Sequence, residues 1–277
     1  MSKLKTRAIT AFLFVAVMLG LSYFKMGYFF LFSVLTVFTT IEFLNITKSL
    51  RDEKDTSIFR RVYTIFINLS TFILTAYIVF YDTNGESFKF LAVIPAMLFG
   101  LFILELYAKS ESPFVNIAVN LSAFVYIGIP FSMLNLIVFY NGEYYPDILF
   151  GILVLIWIYD AAAYVVGSKF GKTPLFKRIS PNKTREGTFG GILVLTAVGF
   201  SLGFVFDNGL SPMQWAVVSW IIAYFSAVGD LIESMLKRSL DIKDSGDILP
   251  GHGGLLDRFD AFIFVVPFIA LYILVFT

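Results

Sequence analysis

Asp160, Asp230 and Glu233 stand inside long apolar runs, where charge has a chemical reason to be. Asp160 lies in Trp157-Ile158-Tyr159-Asp160-Ala161-Ala162-Ala163-Tyr164, and Asp230 and Glu233 lie in Gly229-Asp230-Leu231-Ile232-Glu233-Ser234. An ionisable side chain inside a membrane-spanning helix costs about 2.5–3.5 kcal/mol on insertion scales, so it is a functional candidate by default. Glu233 and Ser234 follow Asp230 by three and four residues, and Lys237 follows Glu233 by four, so on a helix they share one face. A Glu233–Lys237 pair sealing a helix end is the plain alternative for Glu233. It serves Asp230 less well, because the neighbours expected for Asp230 are other acids.

A second constellation follows at once. It reads Lys237-Arg238, then Lys243-Asp244-Ser245-Gly246, then Leu249-Pro250-Gly251-His252-Gly253-Gly254-Leu255-Leu256-Asp257-Arg258-Phe259-Asp260. Cations and acids flank a Gly-rich turn that opens the last apolar run, so backbone N–H groups there can point at an anion. Asp257 and Asp260 are three apart on the first turn of that run. Carboxylates brought together from two helices suit Mg²⁺, which takes oxygen ligands plus substrate phosphates. Lysines and arginines beside such a metal suit a polyphosphate. A charged, glycine-containing loop is commonly just solvated, but this one abuts acids on the adjoining helix. A third stretch, Ile179-Ser180-Pro181-Asn182-Lys183-Thr184-Arg185-Glu186-Gly187 with Gly190-Gly191, belongs to a basic loop whose plain role is to fix topology. Its Ser-Pro-x-Lys-Thr and Glu-Gly pieces point to a shaped loop.

The elements that must position these residues are membrane helices. The 277 residues are 58% hydrophobic and only 15% charged, against about 25% charged in an ordinary soluble domain. That much apolar surface needs lipid as its solvent. Nine candidate spans are counted, roughly 8–24, 26–46, 62–81, 88–107, 114–139, 147–167, 189–206, 214–236 and 258–277. The fold class is therefore all-α, a polytopic transmembrane helical bundle. The first run follows Met-Ser-Lys-Leu-Lys-Thr-Arg and reads as a first span rather than a cleaved signal, because no small-residue cleavage site is evident. Pro130 predicts a kink or break in the fifth span. With the N-terminus in the cytosol, every one of the 21 Lys and Arg residues except Lys25 and Lys89 falls on the cytosolic side, as the positive-inside rule requires. Residues 1–150 form an N-terminal region of about five spans. Residues 151–277 form a C-terminal region of about four, with cytosolic loops 168–188 and 237–257. The net charge of +1 leaves no basic face for nucleic acid. With no Cys and a single His, disulfides, thiol chemistry and multi-His metal cages are excluded.

The stretch Ser234–Asp260, S-x-L-K-R-x4-K-D-S-G-x-x-L-P-G-H-G-G-L-x-D-R-F-D, resembles the signature of phosphatidate cytidylyltransferases, also called CDP-diacylglycerol synthases. Ile-Ser-Pro-x-Lys-Thr-x-Glu-Gly-x-x-Gly-Gly and the Asp160…Ala163-Tyr164 piece resemble other segments shared by that family, and together the likeness covers roughly 157–265. The N-terminal half offers only spans and an acid, Glu42, at the end of the second. Ala161-Ala162 departs from the family, which often has Ser or Thr just after the Asp.

The resemblance implies transfer of a cytidylyl group from CTP to phosphatidate, giving CDP-diacylglycerol and pyrophosphate for phospholipid synthesis. It implies a divalent-metal-dependent nucleotidyltransferase of the bacterial cytoplasmic (inner) membrane, with its active site facing the cytosol, working as a homodimer without nucleic acid. By the same resemblance Asp230 and Asp257 bind Mg²⁺, with room for a second cation such as K⁺. Lys237, Arg238, Lys243 and Lys183 are assigned to phosphate contacts, and Arg258 is counted with the catalytic group. Asp244 and Asp160 orient those cations or the metal's waters. His252 either hydrogen-bonds a phosphate or holds the Gly-rich turn. The rival readings are a CTP-dependent lipid kinase or related nucleotidyltransferase, an ion-coupled secondary transporter, and a structural membrane component.

Overall fold

The computed structural model describes residues 3–51, 58–81, 86–139, 142–207, 209–246, 248 and 253–277, the side chains of 3–8 and 86 excepted. Ten α-helices are described: α1 (Lys3–Tyr23), α2 (Lys25–Ile46), α3 (Ile58–Tyr81), α4 (Val93–Ala108), α5 (Pro113–Ala123), α6 (Ile129–Val138), α7 (Pro146–Phe170), α8 (Arg185–Val205), α9 (Pro212–Ser239) and α10 (Leu256–Phe276). Among the described residues, eight helical stretches are long and apolar enough to cross a membrane, and α1 contributes a shorter apolar stretch, Ile9–Tyr23. The all-α polytopic bundle expected from the sequence is what the chain forms. Lipid offers no partner for a backbone N–H or C=O, so the chain satisfies them within helices. Threonines in these helices do the same with their hydroxyls, as in Thr36 Oγ1 to Phe32 O at 2.7 Å and Thr71 Oγ1 to Ile67 O at 2.8 Å.

The sequence left out one element, an antiparallel hairpin of β1 (Pro174–Phe176) and β2 (Ser180–Thr184) within the basic loop after α7. The expected disruption at Pro130 takes a specific form, a π-helical turn at Phe124–Gly128 that joins α5 to α6. Proline has no N–H to donate and its ring crowds the carbonyl four residues back. A wider turn absorbs both, and Asn68 reaches in to donate to Ala123 O at 3.4 Å and to Thr40 Oγ1 at 2.9 Å.

The chain divides into two compact units, Met1–Glu143 with Ile242–Asp257, and Tyr144–Asp241 with Arg258–Thr277. The first is tied internally by buried polar contacts between helices. Tyr28 donates to Asn135 Oδ1 at 2.9 Å, Asn135 donates to Phe72 O at 3.0 Å, and Arg60 Nε meets Glu105 Oε1 at 2.8 Å with both side chains buried. Breaking a buried ion pair strands its partner, at a cost of about 3–5 kcal/mol. Arg60→Leu is accordingly expected to lower the melting temperature in detergent more than the double substitution Arg60→Leu, Glu105→Leu, as read by a thermal melt.

In the second unit α7 and α8 approach closely, and glycines permit it. A Cβ on Gly187 would stand 2.7 Å from Ala163 O, and one on Gly191 would stand 2.9 Å from the Tyr159 ring. Gly187→Val is expected to destabilise the folded protein by about 1–3 kcal/mol, the usual range for overpacking. Because Gly187 also follows the hairpin directly, a melt of this variant reports on how tightly α8 must dock to hold the loop.

Candidate active site

The hairpin is a device for placing Lys183. Its base is fastened by Glu186, whose Oε2 accepts from Lys172 N and Thr173 N, each at 3.1 Å, and by Arg185 N donating to Thr173 O at 2.9 Å. Thr184 caps α8 by accepting from Gly187 N at 3.2 Å, which satisfies one of the orphan N–H groups of a helix start. The sequence motif thus resolves into parts. Thr184 and Glu186 fix the loop, Gly187 lets α8 dock, and Lys183 reaches into the helices.

Lys183 pairs through Nζ with Asp230 Oδ2 on α9. Asp160 on α7 is exposed and stands within electrostatic reach of both. All three line one cavity of about 490 Å³, together with Tyr159, Ser180 and Asn182. Asp260 on α10 adds a further acid: its carboxyl faces those of Asp230 and Glu233, and its Oδ1 accepts from Ala261 N at 2.7 Å. The approach of α9 to α10 that allows this passes over Gly229, where a Cβ would stand 2.8 Å from Phe264 Cβ and 2.9 Å from Asp260 O. Glu233 is buried and pairs with Lys237 at 2.6 Å, the four-residue pairing read from the sequence. Four acids in this unit thus share two nearby lysines, an electrostatic balance that favours an added cation.

Of the residues singled out by sequence, the structure brings together Asp160, Lys183 and Asp230, and places Lys237 beside Glu233. Arg238 and Arg258 are exposed in the same unit. Asp257 falls in the first unit, where its Oδ2 accepts from Ser245 N at 3.0 Å and from Gly254 N at 2.9 Å. Lys243 and Asp244 are exposed in the loop that supplies those contacts. His252 lies outside the described residues. Two acids that the sequence marked without giving them a role take part here: Asp260, three residues after Asp257, and Glu42, which accepts from Leu256 N at 2.6 Å.

Among the described residues no group of three or more His, Cys, Asp or Glu is placed to hold a metal ion by itself. Mg²⁺ in general is held by one or two carboxylates plus waters and substrate phosphates rather than by an all-protein cage. The donor set here is all oxygen. Within its own unit Asp257 has one carboxylate oxygen fixed by two backbone donors, and within the other Asp230 pairs with Lys183 beside the acids Asp160 and Asp260; each is an oxygen donor of the kind such an ion takes.

The chain matches the cytidylyltransferase family over residues 5–276. It is 36% identical over 202 residues to the phosphatidate cytidylyltransferase of Bacillus subtilis (strain 168), covering 72% of each chain. It is 41% identical over 176 residues to the phosphatidate cytidylyltransferase of Staphylococcus haemolyticus (strain JCSC1435), covering 62% of this chain and 65% of that one. Against the protein of the same name from Staphylococcus aureus (strain COL) the identity is 38% over 174 residues, with the same two shares. With a match that runs almost from end to end and a site of acids and lysines set among spanning helices, this chain belongs to the cytidylyltransferase family.

Proposed function

We propose that this protein transfers the cytidylyl group of CTP to phosphatidate, releasing pyrophosphate and forming CDP-diacylglycerol. The observation that carries the reading is the Asp160–Lys183–Asp230 group lining a cavity among membrane-spanning helices, in a chain of this family. One substrate is a water-soluble triphosphate and the other a lipid, and a cavity among spanning helices with charged groups set in largely apolar walls can serve both. A phosphate oxygen of phosphatidate attacks the α-phosphorus of CTP, a new P–O bond forms, and the bond to the β-phosphate breaks as pyrophosphate leaves. The attacking oxygen is already anionic, so little base catalysis is needed. The barrier is charge repulsion and positioning, and cations relieve the first.

Asp230 and Asp257 are the proposed ligands of Mg²⁺, with a second cation such as K⁺ compatible with the same site. The metal would supply charge neutralisation at the triphosphate. Lys183, Lys237, Arg238, Lys243 and Arg258 are proposed to contact phosphates, and Asp160 and Asp244 to orient those cations. His252 is proposed to bind a phosphate or to hold the Gly-rich turn. The distribution of Lys and Arg supports a cytosolic N-terminus and a cytosol-facing site in the bacterial inner membrane. A homodimer is the proposed assembly.

The test is purified protein with labelled CTP, phosphatidate and Mg²⁺, the product being resolved by chromatography. A cytidylylated lipid with pyrophosphate is expected. A phosphorylated lipid would identify a lipid kinase instead, and substrate uptake by proteoliposomes without CTP would identify a transporter.

A further inference from the structure

Glu42 lies late in α2, 3% exposed, and belongs to the same compact unit as the 242–257 loop. Its Oε2 accepts from Leu256 N at 2.6 Å across 214 residues of sequence, and the Leu255 N–H points at the same carboxylate. Its other oxygen is buried beside the Ser245 hydroxyl. Two glycines of the loop exist on its account, since a Cβ on either Gly246 or Gly254 would run into Glu42 Oε1. The carboxylate of Asp257 is an electrostatic neighbour.

The backbone donors around the start of α10 are therefore divided between two carboxylates. Asp257 takes Ser245 N and Gly254 N, and Glu42 takes the N–H groups at 255 and 256. A helix start leaves its first N–H groups without intrahelical partners and draws the nearest anion to them. Asp257 is the acid in the first turn of α10.

We propose that Glu42 is a positioning residue for Asp257: by capping the start of α10 from α2, it keeps the Asp257 carboxylate out of that cap and turned to a divalent cation. This rests on the metal assignment of the preceding section and adds a residue from the N-terminal half, outside the Ser234–Asp260 stretch. Without Glu42, the donors at 255 and 256 compete for Asp257, and the loop loses the wall against which Gly246 and Gly254 pack.

The test is Mn²⁺ binding, followed by electron paramagnetic resonance with Mn²⁺ alone, on the purified full chain and on Glu42→Ala and Glu42→Gln, beside thermal melts of each. Glu42→Ala is expected to raise the half-saturating Mn²⁺ concentration about 10–100-fold, the usual cost of losing a residue that orients a metal ligand. Glu42→Gln keeps an acceptor of the same length and is expected to retain most of the binding. It also carries the test should the alanine variant fail to fold, with affinity between the wild type and Asp257→Asn then expected. Mn²⁺ affinity unchanged in a folded Glu42→Ala, or unchanged in Asp257→Asn, overturns the proposal. A wild type that binds Mn²⁺ but makes no cytidylylated lipid would defeat the functional reading and leave this one standing. A wild type that makes the lipid, beside a folded Glu42→Ala that binds Mn²⁺ equally well, would do the reverse.

Discussion

Asp257→Asn is expected to cut cytidylyl transfer by at least about 100-fold, equivalent to about 2.7 kcal/mol of transition-state stabilisation, while the protein still folds. The expectation of a folded variant comes from the geometry. Asp257 Oδ2 accepts from Ser245 N and Gly254 N, and the amide oxygen of an asparagine can accept both bonds in the same place. The other oxygen becomes an NH₂, which cannot ligate a hard cation and repels one. Loop shape is kept and one ligand and one charge are removed, so the loss falls on chemistry rather than on folding. Labelled CTP incorporation into lipid, with a melt in detergent as the folding control, checks it. Lys48→Ala, an exposed cation in the N-terminal half, is expected to leave turnover near wild type. Near-normal turnover in Asp257→Asn would remove Asp257 from the metal site.

Lys183→Met is expected to lower turnover by about 100-fold, in the range for removing one positioned donor to developing charge, without weakening Mn²⁺ binding. Lys183 pairs with Asp230 and sits beside Asp160 in the cavity. In the absence of other cations it neutralises a carboxylate that is the proposed ligand of one. Removing it frees Asp230 for the metal but deletes a charge that the triphosphate would meet. Metal affinity and turnover therefore move apart, and a side-by-side Mn²⁺ titration and kinetic assay reads the separation. If both fall together, Lys183 acts by holding Asp230 in place, and its role as a phosphate contact is lost. The hairpin gives an independent check. Thr184 and Glu186 bind backbone groups of the loop and of α8, so their loss should mimic Lys183→Met in turnover but with a lower melting temperature.

The spans, their order and the acids inside them were legible from composition and local pattern, because a membrane helix announces itself by length and apolarity alone. The Glu233–Lys237 pair was legible because four residues make one helical turn. The disturbance at Pro130 was legible as well, since proline's missing N–H is a property of one residue. Its form was not, because the π turn at Phe124–Gly128 has Asn68 of α3 beside it, supplying a donor to Ala123 O. The hairpin of β1 and β2 escaped notice because its strands, Pro-Leu-Phe and Ser-Pro-Asn-Lys-Thr, are too short to show the alternation that betrays a half-buried strand.

What the sequence by itself determined is a membrane bundle with acids, lysines and a glycine-rich turn gathered in its C-terminal half, and a signature that matches a known family. Tertiary structure alone decided which of those groups meet. Lys183 reaches Asp230 across 47 residues, and Glu42 reaches Leu256 across 214. The reason is physical. In a soluble helix the apolar stripe tells which face turns inward, but lipid solvates apolar side chains as well as a protein core does. Helix faces in a bilayer are then chosen by close packing at small residues and by buried hydrogen bonds, and those partners lie far away along the chain.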